Sequence, residues 1–472
     1  MNPTASATIQ EQARPDAMRF PVVMFVSSAI FWLVVGSFLF CLASWKLVVP
    51  SLLDGSAWLT YGRIQAAAEN ALWYGWASQA GMGLGFWLLA RLGRTTLGSQ
   101  TLLVTAGGFW NFGVLLGICS ILAGNGNAVR GLEFSGAAAA ILLVAYACIG
   151  VWSFILLRDR SSDGLYVSQW YLLAAFLCFP WLYATANMML IWHPVQGSAQ
   201  GPIASWFFGA LMWLWLTPLV LAIVYYLTPH FARRPVRAYP SSVLAFWLLA
   251  FLGGWMGTRQ LIGGPIPAWM VSASVAASIM MLIPATIIGI NTFGTLSART
   301  NRATPAFTFT VVGLACFICV VLQGAATPIL SVVTHFSDYT TGEHVMVLFG
   351  FVSMALFGAL YYVVPRLTGV DFSPAHVSWH FWLFVWGAGT MFLGLTLGGL
   401  IQGFALFDPG INFMSSVFLV APFRVMNALG ALVLFAGTVA FANGFIRNLL
   451  DVVDVSATPP VRSTTIPEAA SV

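Results

Sequence analysis

The sequence predicts an all-α polytopic membrane protein, a bundle of twelve transmembrane helices. Three observations carry that prediction. The 472 residues are 59% hydrophobic and only 7% charged, with mean hydropathy +0.87. A soluble domain carries about a quarter charged residues. Apolar runs long enough to cross a bilayer of ~30 Å fall at 20–52, 67–90, 101–123, 135–157, 168–192, 204–228, 242–263, 268–292, 304–328, 343–365, 378–402 and 420–446. Finally, the basic residues alternate between the ends of those runs. Fourteen of the 19 Lys and Arg, among them Arg19, Arg91, Arg94, Arg158, Arg233, Arg302, Arg366 and Arg447, fall on one side. Only Lys46, Arg63, Arg130, Arg259 and Arg424 lie elsewhere. The positive-inside rule then places both termini in the cytoplasm.

Residues 1–19 read as a polar cytoplasmic tail, 20–450 as the membrane domain, and 451–472, rich in Pro, Ser and Thr, as a disordered cytoplasmic tail. The composition excludes a soluble enzyme and a nucleic-acid binder. Pro180, Pro218 and Pro284 kink their spans. Small residues such as Gly81, Gly83 and Gly394–Gly399 bring helices close. The six cysteines lie in apolar runs, and Cys316 and Cys319 read as packing rather than as a metal pair.

The tenth span is the most informative. It opens His335-Phe-Ser-Asp-Tyr-Thr-Thr-Gly342, continues through Glu343, His344 and Val345, and closes Tyr361-Tyr-Val-Val-Pro-Arg-Leu367. The second span begins Tyr61-Gly-Arg-Ile-Gln-Ala-Ala-Ala-Glu-Asn-Ala71. The sixth ends Val224-Tyr-Tyr-Leu-Thr-Pro229, and the seventh reads Trp255-Met-Gly-Thr-Arg-Gln through Trp269. In this order, these stretches resemble the catalytic subunit of cbb-type cytochrome c oxidases, in the heme–copper oxidase superfamily. The likeness runs from about residue 55 to the end of the twelfth span.

That resemblance implies the twelve-helix bundle of cytochrome c oxidase subunit I, in the bacterial inner membrane, as part of a respiratory electron-transfer complex. For the family it also implies heme b and copper, held by histidines. Here the heme-ligand positions fall on Ala68, Glu343 and Val345, and the copper-ligand positions on Gly209, Arg259 and Gln260. The family's cross-linked tyrosine falls on Gly253. The frame is kept and the ligands are absent.

No catalytic residue is assigned on this reading, and no metal or cofactor is expected in the chain. His344 and Arg259 remain as a candidate residual site. Arg259 cannot shed its charge and needs an acid, with Glu69 and Glu343 in reach along the frame, or an anionic or quinone-like ligand. The expected role is a structural or partner-binding subunit beside other membrane subunits, including membrane-anchored cytochrome c, with lipid or quinone as small partners. Two other readings are an active terminal oxidase or nitric oxide reductase subunit with unconventional ligands, and a twelve-span transporter. The remaining histidines, His193, His230, His335, His376 and His380, are expected at the membrane edges with none at mid-membrane facing another, although His376 and His380, four apart, could share a helix face.

Overall fold

The computed structural model describes residues 3–95, 100–160, 164–296, 300 and 302–457, with side chains from 19 to 452. Among the described residues, twelve long helical runs follow one another, with short turns at Ala57–Leu59 and Ser331–Thr334 between them. They are α1 (Pro3–Val48), α2 (residues 61–93), α3 (Gln100–Ala123), α4 (Gly136–Arg158), α5 (Val167–Trp192), α6 (Gly197–Ala232), α7 (Tyr239–Leu261), α8 (Ala268–Phe293), α9 (Pro305–Ile329), α10 (Tyr339–Thr368), α11 (Pro374–Phe407) and α12 (Phe413–Ala457). No strand occurs among the described residues. Helix continues through the N-terminal stretch expected as a tail, from Pro3 onward, and α12 runs on through Asp451 to Ala457. The remainder of the expected C-terminal tail, 458–472, lies outside the described residues.

Eleven of the runs are long and apolar enough to cross a membrane. The exception is α2, which holds Glu69, Asn70 and Gln79 together with Trp73, Tyr74 and Trp76. Its position explains this. Nearly every residue of α2 from Ala67 to Ala90 is buried. A helix that faces protein on all sides has no need to match lipid.

Burial divides the helices into two classes. Every residue in the most apolar stretch of α10 and 94% of that in α6 are buried, against 39–56% in the other nine apolar helices. With α2, these make an inner set of three that touch one another: Trp76 Nε1 of α2 donates to Ser353 Oγ of α10 at 2.9 Å, and a Cβ at Gly81 of α2 would lie 3.2 Å from Leu219 of α6. The inner helices are the second, sixth and tenth, one in each group of four. Each carries a π-helical segment in its buried middle: Ala71–Ala77, Leu211–Leu216 and Met346–Ser353.

The outer helices pack on their sequence neighbours, and α12 packs on α1, so the ring closes. Two prolines show their effect. α8 breaks at Met281, three residues before Pro284, whose ring crowds the carbonyl four residues back. Pro218 lies two residues after the π segment of α6, where the wider turn relieves the same crowding. Glycine lets α11 approach α10 and the short turn before it closely: a Cβ at Gly399 would run into the backbone at Tyr339, and one at Gly403 into Val333.

Candidate functional site

The inner helices bring the residues of the sequence motifs together. α7 ends as a regular helix at Gly253, and the chain then folds back through Gly257, at φ +114, into a short 3-10 turn, Thr258–Leu261. That return path presses on α6. A Cβ at Gly209 would lie 2.5 Å from the Met256 carbonyl oxygen and 3.0 Å from Gly257 Cα. A Cβ at Gly257 would meet the Ser205 carbonyl. Backbone therefore fills the space in which a side chain at position 209 would project. Gly253 packs on Trp213, 3.1 Å from its added Cβ, leaving no room for a tyrosine ring.

Arg259 is held by this turn and is 6% exposed. Its backbone N–H donates to Ser274 Oγ at 3.0 Å. Its Nη1 donates to Ser278 Oγ at 3.0 Å and to the Gly324 carbonyl at 2.7 Å. Its Nη2 meets Glu343 Oε1 at 2.6 Å. The second carboxylate oxygen of Glu343 accepts from Thr327 Oγ1 at 3.2 Å. The pair thus joins α7, α8, α9 and α10, and both charges have their hydrogen-bond partners, as burial demands. Of the two acids in reach along the frame, the structure selects Glu343.

Glu69 serves a different arginine. Arg130, in the loop between α3 and α4, places Nε 3.1 Å from Glu69 Oε2 and Nη2 3.2 Å from Oε1. Gln65 Nε2 also donates to Glu69 Oε1, at 2.7 Å. Arg130 Nη1 lies 3.0 Å from His344 Nδ1 and can only donate, so that nitrogen accepts. The guanidinium carbon sits 4.6 Å above the Phe208 ring, and His344 meets the same ring edge-on. His344 and Arg259, the pair expected as a residual site, therefore belong to two separate constellations, side by side through the Glu343–His344 peptide. Ala68 and Val345 are buried at 0% and 3% and offer no donor atom. Gln260 is half-buried on the fold-back turn, its N–H bonded to the Gly257 carbonyl at 3.1 Å.

Two features escaped the sequence reading. Glu133, in the loop before α4, is 8% exposed and accepts from Asn70 Nδ2 at 2.8 Å. Burial raises its pKa to about 7, with the Asn70 hydrogen bond opposing. Asn70 Oδ1 is itself buried without a partner, and a protonated Glu133 can offer its O–H to that oxygen. A lone acid beside Arg130 reads in sequence as an ordinary loop residue, so no signal pointed to it. His380 is the second correction. It was expected at the membrane edge with His376, yet it is fully buried. Its Nδ1 lies 2.9 Å from the Tyr361 hydroxyl, and it stacks on Phe309 and Phe441. His380 stands on the second turn of α11 and meets Phe357 of α10 edge-on. His376 is partly exposed and pairs with Asn443 at 3.2 Å.

A family model described as "Cytochrome C and Quinol oxidase polypeptide I" matches residues 20–433. The chain belongs to that family. It is 26% identical over 449 residues to a cbb3-type cytochrome c oxidase subunit, CcoN1, of Stutzerimonas stutzeri, covering 91% of this chain and 95% of the relative. It is 26% identical over 461 residues to a cytochrome c oxidase subunit 1 homolog of Agrobacterium tumefaciens, covering 90% and 82%. A bacteroid homolog of Bradyrhizobium diazoefficiens is 25% identical over 469 residues, covering 93% and 84%. The protein is thus a multi-pass, cytochrome c oxidase subunit I-like membrane protein.

The hemes and copper of the superfamily do not fit the side chains present at the positions the resemblance assigns to their ligands. Alanine, valine and glycine supply no donor. Arginine stays charged and would repel a cation, and Glu343 is already committed to it. Among the described residues, no three His, Cys, Asp or Glu come together as a metal set.

Proposed function

We propose that this chain is a member of the oxidase subunit I family without a heme–copper centre of its own. It acts as a structural or partner-binding subunit beside cytochrome-bearing membrane subunits of a respiratory complex. The observation that carries this reading is the Arg259–Glu343 ion pair, seated where the fold-back of α7 packs its backbone against Gly209. Iron and copper need converging imidazole, thiolate or similar donors, and this region offers a paired guanidinium instead. The alternation of arginines supports an inner-membrane topology with both termini in the cytoplasm.

The test is a reduced-minus-oxidised optical spectrum with metal analysis of the purified chain. A featureless difference spectrum and less than stoichiometric iron and copper are expected. Sharp alpha bands from low-spin heme would overturn the reading. Mild-detergent purification of the tagged chain tests the partner role, and recovery as a bare monomer would refute it.

A further inference from the structure

At the arginine-rich end of the bundle, α6, α9, α10 and α11 enclose a cleft that the proposed role leaves unused. One half, a cavity of about 610 Å³, is polar and is walled by His230, Arg233, Tyr362 and Arg366. The other, of about 520 Å³, is walled by Phe309, Phe372, Phe381 and Trp382. Tyr361, Pro365 and Asp371 line both, so the two halves adjoin.

The polar half carries a surplus of positive charge. Arg366 lies over the Tyr362 ring, 3.4 Å from its centroid, and donates to the Tyr362 carbonyl at 2.5 Å. Arg91 and Arg366 both act electrostatically on His230. Arg233 closes the C-terminus of α6 at φ +51, a left-handed position that glycine fills at least cost. Arg233 has no acidic partner among the described residues. One acid, Asp371, stands at the joint between the halves.

The apolar half leads outward to Trp382, 54% exposed, and Trp379 on the same helix is 67% exposed. Exposed tryptophans near a helix end mark the membrane–water interface. A ligand that satisfies the whole cleft has a phosphate, an apolar chain and, opposite Asp371, a cation. We propose that the cleft binds one phospholipid with an ammonium-bearing headgroup. Its phosphodiester lies on Arg233 and Arg366, its ammonium faces Asp371, and an acyl chain runs along Phe309, Phe372, Phe381 and Trp382. Asp371 sets the preference, since it attracts a zwitterionic headgroup and repels a second negative charge.

The experiment uses the full-length chain, delipidated in mild detergent. Its thermal unfolding is followed with added phosphatidylethanolamine, phosphatidylglycerol of the same acyl chains, or inorganic phosphate, alongside native mass spectrometry of retained lipid. A saturable rise in Tm of several degrees with phosphatidylethanolamine is expected, with a smaller rise for phosphatidylglycerol and none for phosphate. Arg233→Gln should abolish the rise and lose the retained lipid. Asp371→Asn, an exposed change that leaves the fold alone, should bring phosphatidylglycerol level with phosphatidylethanolamine. An equal rise from phosphate would make this a soluble-anion site and overturn the lipid assignment. Equal rises from both lipids, unmoved by either variant, would show annular lipid only, and no rise from any of the three would refute the site.

Discussion

Two ion pairs tie an arginine near the helix ends to an acid on an inner helix, and they differ in depth. Arg259 and Glu343 meet at 2.6 Å with both side chains 5% exposed. Arg130 and Glu69 meet at 3.1 Å with side chains 40% and 14% exposed. Both are arginine–carboxylate pairs, so depth is the main difference in what the loss of one partner costs. A buried charge left without its mate has nowhere to go, whereas an exposed one rehydrates.

The sharpest way to break the comparison is Arg259→Met, which strands Glu343 in the core. A loss of about 3–5 kcal/mol is expected, read as unfolding in detergent. Combining it with Glu343→Leu should restore most of that loss, because an apolar pair of like volume often matches a buried ion pair. If the double variant is no better than the single one, the pair is not an isolated charge balance.

Glu133 sharpens the comparison with a buried acid that has an amide instead of an arginine. Its pKa is raised from about 4.5 to about 7, so the fold retains its proton where the unfolded chain has released it. Stability from this group is therefore full below pH 4.5 and is lost as pH rises to about 7, then levels. Linkage bounds the loss at about 3 kcal/mol. Unfolding measured from pH 5 to 8 should slope downward in the native chain and less so in Glu133→Gln. Parallel slopes would show that Glu133 ionises freely.

Next comes backbone closure beside the deep pair. Gly209→Ala should cost about 1–3 kcal/mol by overpacking against the Met256 carbonyl. An unchanged Tm would mean that the α7 fold-back yields easily. The smallest effect belongs to the shallow pair: Arg130→Gln should cost no more than about 1 kcal/mol and should lose most of its effect in high salt. A salt-independent loss as large as that of Arg259→Met would erase the distinction in depth.

Much of this was legible in the sequence. The Tyr361–Leu367 run and the arginine alternation place the helices, because both are local patterns in a chain whose solvent is lipid. Arg259 stood out as a charge that must find a partner. The choice between Glu69 and Glu343 depended on where the loop carrying Arg130 comes to rest, which no span pattern states. Helix α2 was read as one more apolar span at 67–90, and its polar residues became intelligible only when its burial was seen. Glu133 was missed and His380 misplaced for one reason: both lie near helix ends, and exposure there is decided by how loops and neighbouring helices cover one another.

The low hydropathy of α2 also bears on how the chain enters the bilayer. A segment carrying Asn70, Gln79 and several tryptophans gains little by leaving the insertion machinery for lipid alone. Its partners are α1, made before it, α3 and α4, made next, and α6 and α10, made long after. Of these only α1 precedes α2 in the chain, and its Trp32 packs where Gly75 admits it, so α1 is the first protein surface α2 can face. The small residues that seat α2 on α1, Gly75 under Trp32 and Gly83 against Phe25, thus give a polar helix its protein surroundings from the N-terminal side of the chain.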